Sequence, residues 1–304
     1  MAQLLKIEDC VSRYEQDVFR YTGQYIRLKK ERWNRVKINW ESEKNSNLTD
    51  DILEETKPPK KWWQRKAEPS ETEPTEPINK TYTPITLTAL KKNFKEELYN
   101  FQLKWASATI REQSRISNRV RNHSFLRYML MDLPDNYLVL YKPIVRLKKA
   151  ETQLDVIIIG PDSIQAIVQM NANEQETIHP TQGRFWEIER KGEKNRIISP
   201  VSAVQRMNYF IESIIDQASS EMKFTYTILA ENSYINRSNI PPYIQVVDKS
   251  VYEQWSDQLK RQPSPIKYKQ LKAAKTLLDH CVTTSYLRPE WESAQEPWQQ
   301  IDVD

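Results

Sequence analysis

The chain is 304 residues long, 28% charged and 10% aromatic, with 4 glycines, two cysteines and a net charge of +4. Mixed charge and many aromatics exclude a wholly disordered chain, and four glycines exclude phosphate loops built on glycine. Two cysteines, Cys10 and Cys281, far apart in the sequence, make no disulfide framework, and no paired C-x-x-C is present for zinc. No apolar run reaches the ~18–20 residues that span a bilayer, and the N-terminus carries charges where a signal peptide has its apolar core. A cytoplasmic protein with no membrane partner is expected.

Residues 1–54 are predicted as a helical N-terminal region. Cys10, Val11, Tyr14, Val18 and Tyr21 recur at three- and four-residue steps, Gly23 interrupts them, and Trp33, Val36 and Trp40 resume the spacing. Such a stripe faces either a core or a protein partner, and packing inward is the commoner use. Residues 55–84 hold six prolines and the repeat EPSETEPTEP, which predicts an extended linker. Within it KKWWQRK, Lys60–Lys66, offers two tryptophans among basic residues for stacking or docking. Residues 85–120 predict a long amphipathic helix, with Leu87, Leu90, Phe94, Leu98 and Phe101 on one face. A break near Ser114–Ser117 divides it, and Arg111, Arg115 and Arg119, four apart, would share a face of the second half.

From Pro134 the pattern becomes that of strands. YLVLY at Tyr137–Tyr141 and Ile144–Leu147 come first, then Leu154–Met170 as two apolar runs joined by Gly-Pro-Asp-Ser. Phe185–Glu189 and Arg196–Ile198 read as a hairpin turning through Lys191–Lys194. Ser199 and Pro200 mark a helix start, N-cap and first turn. Strands at Phe224–Leu229 and Ile244–Val247 and helices at Ser250–Arg261 and Pro265–Cys281 complete the chain. This order predicts an α/β (α+β) fold, a mixed sheet flanked by helices. The divisions expected are a domain at 121–250 and C-terminal helices with a tail at 251–304.

The segment from Asn122 to Val247 resembles the nuclease-related domain (NERD), a branch of the PD-(D/E)xK nuclease superfamily. The strings that carry the resemblance are MLMDLPDNYLVLYKP (Met129–Pro143), QLDVIIIGPDSIQAIVQMN (Gln153–Asn171), Trp186 and SPVSAVQRMNYFIESI (Ser199–Ile214). The resemblance covers under half the chain and implies a restriction-endonuclease-like core. There, an acid on one strand and Glu-x-Lys on the next hold Mg²⁺ by oxygen ligands and activate water. Asp155 matches the first acid. The glutamate position falls on Val168, the lysine position on Met170, the helix glutamine on Ala203, and the Gly-Glu pair of the leading helix on Asn122-His123. Apolar side chains supply no metal ligand, so no cofactor is expected. Mg²⁺ enters only if the motif has moved to Glu187, Glu189 and Lys191, where Glu-x-Lys recurs, or to Glu212. His179 and His280 have no ligand partner at metal spacing.

Basic residues cluster twice. Five arginines face one acid, Glu112, between Arg111 and Arg127, and Lys142, Arg146, Lys148 and Lys149 follow without an acid. Arg115, Arg119, Arg121 and the Lys142–Lys149 group are the nucleic-acid-binding candidates. Three functions follow from these readings: a nuclease fold without cleavage that binds nucleic acid or protein, an active Mg²⁺ nuclease with relocated ligands, and an assembly protein working through its helices.

Overall fold

The structure, a computed structural model, describes residues 1–49, 86–147, 150–215, 222–261 and 264–292. The predicted linker at 55–84, with Lys60–Lys66, lies outside the described residues, as do Lys148 and Lys149. The chain divides into two compact units, Met1–Ile26 with Lys95–Asp304, and Arg27–Phe94. In chain order the elements are β1 (Gln3–Ile7), α1 (Arg13–Gln16), α2 (Val18–Thr49), α3 (Leu87–Trp105), β2 (Glu112–Gln113), α4 (Asn118–Arg121) and α5 (Ser124–Asp132). There follow β3 (Leu138–Tyr141), β4 (Ile144–Leu147), β5 (Ala150–Gln153), β6 (Val156–Ile159), β7 (Ser163–Gln169), β8 (Glu176–His179), β9 (Phe185–Arg190), β10 (Glu193–Ile198) and α6 (Val201–Ile215). Last come β11 (Lys223–Ala230), β12 (Tyr234–Ile235), β13 (Ile244–Asp248), α7 (Tyr252–Lys260), α8 (Tyr268–Asp279), β14 (Tyr286–Leu287) and α9 (Pro289–Glu292).

The fold is mixed α/β. Its main sheet has six strands in the order β1-β3-β6-β7-β11-β13. β3, β6 and β7 form an antiparallel meander, and α6 then returns the chain so that β11 lies parallel to β7. The turn between β6 and β7 needs Gly160, because a Cβ there would stand 3.0 Å from the Tyr137 ring. Alternation along the strands sorts the side chains by face. Val139, Tyr141, Val156, Ile158 and Ile167 are buried with Phe125, Leu126, Met129 and Leu130 of α5, each such side chain contributing about 1.5–3 kcal/mol. The opposite face, carrying Ile157, Ile159, Ala166 and Val168, packs on α6 and α8. A second sheet, β10-β9-β8-β12, is separate. Its hairpin turns tightly at Lys191 and Gly192, both with positive φ (50° and 85°), as a two-residue turn between right-twisted strands requires.

Three expectations need correction. The first residues are not helical: β1 pairs parallel with β3 and forms one edge of the sheet. Ser12 then caps α1 with Glu15 closing the box, so Cys10 and Val11 precede any helix. Beyond Ser12 the aromatic stripe packs inward, Tyr14, Tyr21 and Tyr25 meeting Trp105 at 6.0, 5.6 and 6.4 Å. Gly23 does not interrupt α2. In the smaller unit Trp33 packs on Phe94, ring centroids 5.2 Å apart.

The second correction concerns the helix expected over 85–120, which ends at Trp105. Ser114 and Ser117 spend their hydroxyls on backbone groups elsewhere, Ser114 on Val11 N–H and the Thr284 carbonyl, Ser117 on Val120 N–H. β2 meanwhile pairs with β14. Arg111 and Arg115 therefore lie outside any helix and share no helix face with Arg119 on α4. The third is the domain start at 121: β1 and α3 contribute to the sheet and to its core, so the folded unit draws on residues well before it.

Candidate functional site

The strands bring their polar side chains together at one end of the main sheet. β1, β3, β7, β11 and β13 all end there, and β6 begins there. Open α/β sheets bind ligands beyond the carboxyl ends of their strands. The ladders pair Ile7 with Tyr141, Leu140 with Ile157, Val156 with Ile167, and Val168 with Ile228. Carried one or two steps past the strand ends, the same registers align Glu8, Lys142, Asp155 and Val168 in one row. Backbone bonds hold the margin: Glu8 N–H donates to the Tyr141 carbonyl (2.9 Å), Ile144 N–H to the Glu8 carbonyl (3.3 Å) and Leu154 N–H to the Pro143 carbonyl (2.9 Å).

Glu8 and Lys142 both have left-handed backbones, φ 45° and 49°. For residues with a Cβ this costs about 1–2 kcal/mol each. Such strain persists where surrounding structure enforces it, and it clusters at working sites. Lys142 Nζ stands 5.6 Å over the ring of Tyr141, and the ring of His123, which precedes α5, lies 5.7 Å from that of Tyr141. The same lysine acts on His123 and on Asp155. Burial lowers the His123 pKa from its ordinary value, and Lys142 and then Arg119 lower it further. Burial raises the Asp155 pKa, against the opposing pull of Lys142 and of Arg206 from α6. The Tyr141 phenol is pushed up by burial, then by Glu8 and Tyr99, with Asp155 adding to the rise and Arg119 opposing it. Arg119 and Lys142 thus act on His123, Lys142 and Arg206 on Asp155, and Arg119 on Tyr141.

The family-derived positions fall as follows. Val168 is the neighbour of Asp155 across the ladder and is 5% exposed among apolar side chains. Met170 lies just past β7, its N–H bonded to the Leu229 carbonyl. Ala203 lies on α6, one turn from Arg206. Among the described residues no group of three or more His, Cys, Asp or Glu side chains could hold a metal ion. The donor set around Asp155 does not fit Mg²⁺, because Val168 and Met170 offer no oxygen.

The relocated candidates belong to the other sheet. Glu187 pairs with Lys194 (3.2 Å) and Glu189 with His179 (3.1 Å), while Lys191 occupies the turn. Glu212 is on the exposed side of α6. His280 Nδ1 is 2.8 Å from the Thr276 carbonyl, an ordinary helix-end contact. Of the basic candidates, Lys142 and Arg119 both act electrostatically on His123. Arg115 sits over Tyr286 at 5.8 Å, Arg146 pairs with Glu151 (3.4 Å), and the Arg121 carbonyl accepts the Tyr99 hydroxyl (2.7 Å). Glu8, His123 as an active group, Tyr141 and Arg206 are not marked as site residues by the sequence alone. No local pattern marks Glu8, because Lys6 interrupts the apolar residues of Leu4–Ile7 that precede it.

No family model matches the chain, and no solved structure matches it. The chain is 34% identical over 116 residues to an RNA 2',3'-cyclic phosphodiesterase of Geobacillus stearothermophilus, a match covering 34% of this chain and 36% of that protein. The match therefore spans little more than a third of the relative's length. Among the described residues no helix is long and apolar enough to cross a membrane.

Proposed function

We propose that this chain carries a nuclease-like domain of the NERD type that binds nucleic acid and does not cleave it. The observation that carries the reading is the row Lys142, Asp155, Val168. It sets the one matching acid beside an apolar residue where a metal nuclease needs its second oxygen ligand. The order of α5, the antiparallel strands β3, β6 and β7, the crossover helix α6 and the parallel strand β11, with β4–β5 and β8–β10 interposed, agrees with the core the resemblance implies. Three cations around the strand ends supply attraction to phosphate. The partial likeness to a protein named for RNA chemistry favours RNA as the nucleic acid.

The other two functions are less well supported. A relocated nuclease site would have to use Glu187 and Glu189, which are engaged in cross-strand pairs. An assembly role for the first stripe would need Tyr14 and Tyr21, which are taken up by Trp105. Two cysteines left as free thiols agree with a cytoplasmic setting. The test is incubation with RNA and DNA in Mg²⁺ or Mn²⁺. Intact nucleic acid together with salt-sensitive binding supports the proposal. Cleavage that disappears in Asp155→Ala overturns it.

A further inference from the structure

Tyr141 is completely buried, yet no described protein group bonds its hydroxyl, and the same is true of the buried Nδ1 of His123. Buried polar groups are nearly always bonded, so two orphans on neighbouring rings require an explanation. They are not scattered. The rings are 5.7 Å apart, and the Lys142 ammonium lies 5.6 Å over the tyrosine. Arg119, Lys142 and Asp155 form no ion pair among the described residues. Asp155 is half-buried, and among the described residues no side-chain hydrogen bond reaches it either. Lys142 is held beside these groups in a strained backbone conformation.

The unmet demands specify a ligand. A tyrosine hydroxyl, a histidine nitrogen and two cations call for an anionic acceptor with several oxygens. A carboxylate beside the same lysine calls for a neutral donor, since a second anion would repel it. A phosphate ester next to a free hydroxyl supplies both within one nucleotide. RNA has this arrangement at every residue, in the 2'-hydroxyl beside the 3'-phosphate, and DNA lacks the hydroxyl.

We propose that the strand ends form a ribonucleotide site in which Arg119, His123, Tyr141 and Lys142 hold a backbone phosphate and Asp155 accepts a hydrogen bond from the adjacent 2'-hydroxyl. The site rests on the nucleic-acid reading above and adds to it a choice of RNA over DNA and the residues that make the choice. No bond is made or broken. The Tyr141 hydroxyl and His123 Nδ1 are closed to solvent in the free protein, so phosphate meets them only as the Lys142 side chain lying over the tyrosine ring swings aside, while Asp155 meets the sugar from the α6 face.

The test is fluorescence anisotropy with a labelled single-stranded RNA and a DNA of the same sequence, on the full chain. RNA binds about tenfold more tightly than DNA, the worth of one hydrogen bond to a charged group. Tyr141→Phe and Lys142→Met each weaken RNA binding about tenfold while thermal unfolding shows the fold intact. Asp155→Ala abolishes the preference, bringing RNA down to DNA and leaving DNA unchanged. Equal affinity for RNA and DNA in the wild type, or RNA binding unmoved by Tyr141→Phe and Lys142→Met, overturns the ribonucleotide site and leaves the broader reading standing. Absence of binding to either oligomer overturns both. Should Lys142→Met unfold, Arg119→Gln on the exposed helix α4 gives the same readout of phosphate contact.

Discussion

Tyr141 and Tyr99 offer a paired test of the site. Both are fully buried, and both are packed against the same core. The Tyr99 hydroxyl donates to the Arg121 carbonyl at 2.7 Å, whereas no described protein group bonds that of Tyr141. Phenylalanine keeps the ring and its packing in each case, so the difference isolates the hydroxyl. Loss of a satisfied buried bond costs about 1 kcal/mol, while removal of an unsatisfied buried hydroxyl relieves a desolvation penalty of about 1–3 kcal/mol. One kcal/mol moves the melting temperature of a unit this large by about 2–4 °C. Tyr99→Phe is therefore expected to lower Tm by about 2–4 °C, and Tyr141→Phe to raise it by at least that much. Differential scanning calorimetry at neutral pH measures both. A fall in Tm for Tyr141→Phe equal to that for Tyr99→Phe would show that the hydroxyl is already satisfied in the free protein, and the argument for an awaited ligand would fail. The combination expected is a more stable protein that binds RNA less well.

Three other outcomes follow from the same geometry. Burial holds the Asp155 pKa above its unfolded value, so its contribution to stability is present below the unfolded pKa and is lost as pH rises through the folded pKa. Asp155→Asn should thus be more stable than wild type at neutral pH, with the advantage vanishing in acid. Urea titrations at two pH values check it, and an advantage that grows in acid contradicts it. Val168→Glu places a carboxyl beside Asp155 and should lower Tm in chelator. Mn²⁺ at about a hundred times its Kd should then restore about 2.7 kcal/mol, and no metal response would show that the two positions do not face one ligand. Lys6 is fully buried and bonds Glu15 and Thr283. Glu15→Gln strands that charge and should cost about 3–5 kcal/mol, whereas Lys6→Met with Glu15→Leu should recover most of it; equilibrium unfolding distinguishes the two, and a loss for Glu15→Gln no larger than that of an exposed pair, about 0–1 kcal/mol, would contradict the pairing.

Much of the sheet was legible because its signals are local. Gly160-Pro161 marks the turn between two apolar runs, and Ser199-Pro200 marks the start of α6. Counting from these points placed Val168, and the register sets it opposite Asp155. What could not be read depends on distant pairing. β1 becomes a strand by lying along β3, more than a hundred residues later, and it contains a buried lysine that breaks any apolar pattern. Residues 106–117 follow a helical spacing but are drawn off by β14 and by serine hydroxyls that bond elsewhere. The candidate site shows the same limit. Asp155 and Lys142 could be named from the sequence. Glu8, His123, Tyr141 and Arg206 come from four separate elements, and only the fold brings them to one end of the sheet.

The central claim is that this domain binds RNA through phosphate contacts without cutting it. A salt titration of RNA binding in the presence of Mg²⁺, with the RNA recovered and sized afterwards, tests both halves in one experiment. With Arg119 and Lys142 on one phosphate and Arg206 on a second, the expected slope of log K against log salt is about −1.4, at about −0.7 for each phosphate on a single strand, with the RNA recovered at full length. A flat titration, or RNA shortened by the wild type and left whole by Asp155→Ala, would contradict it.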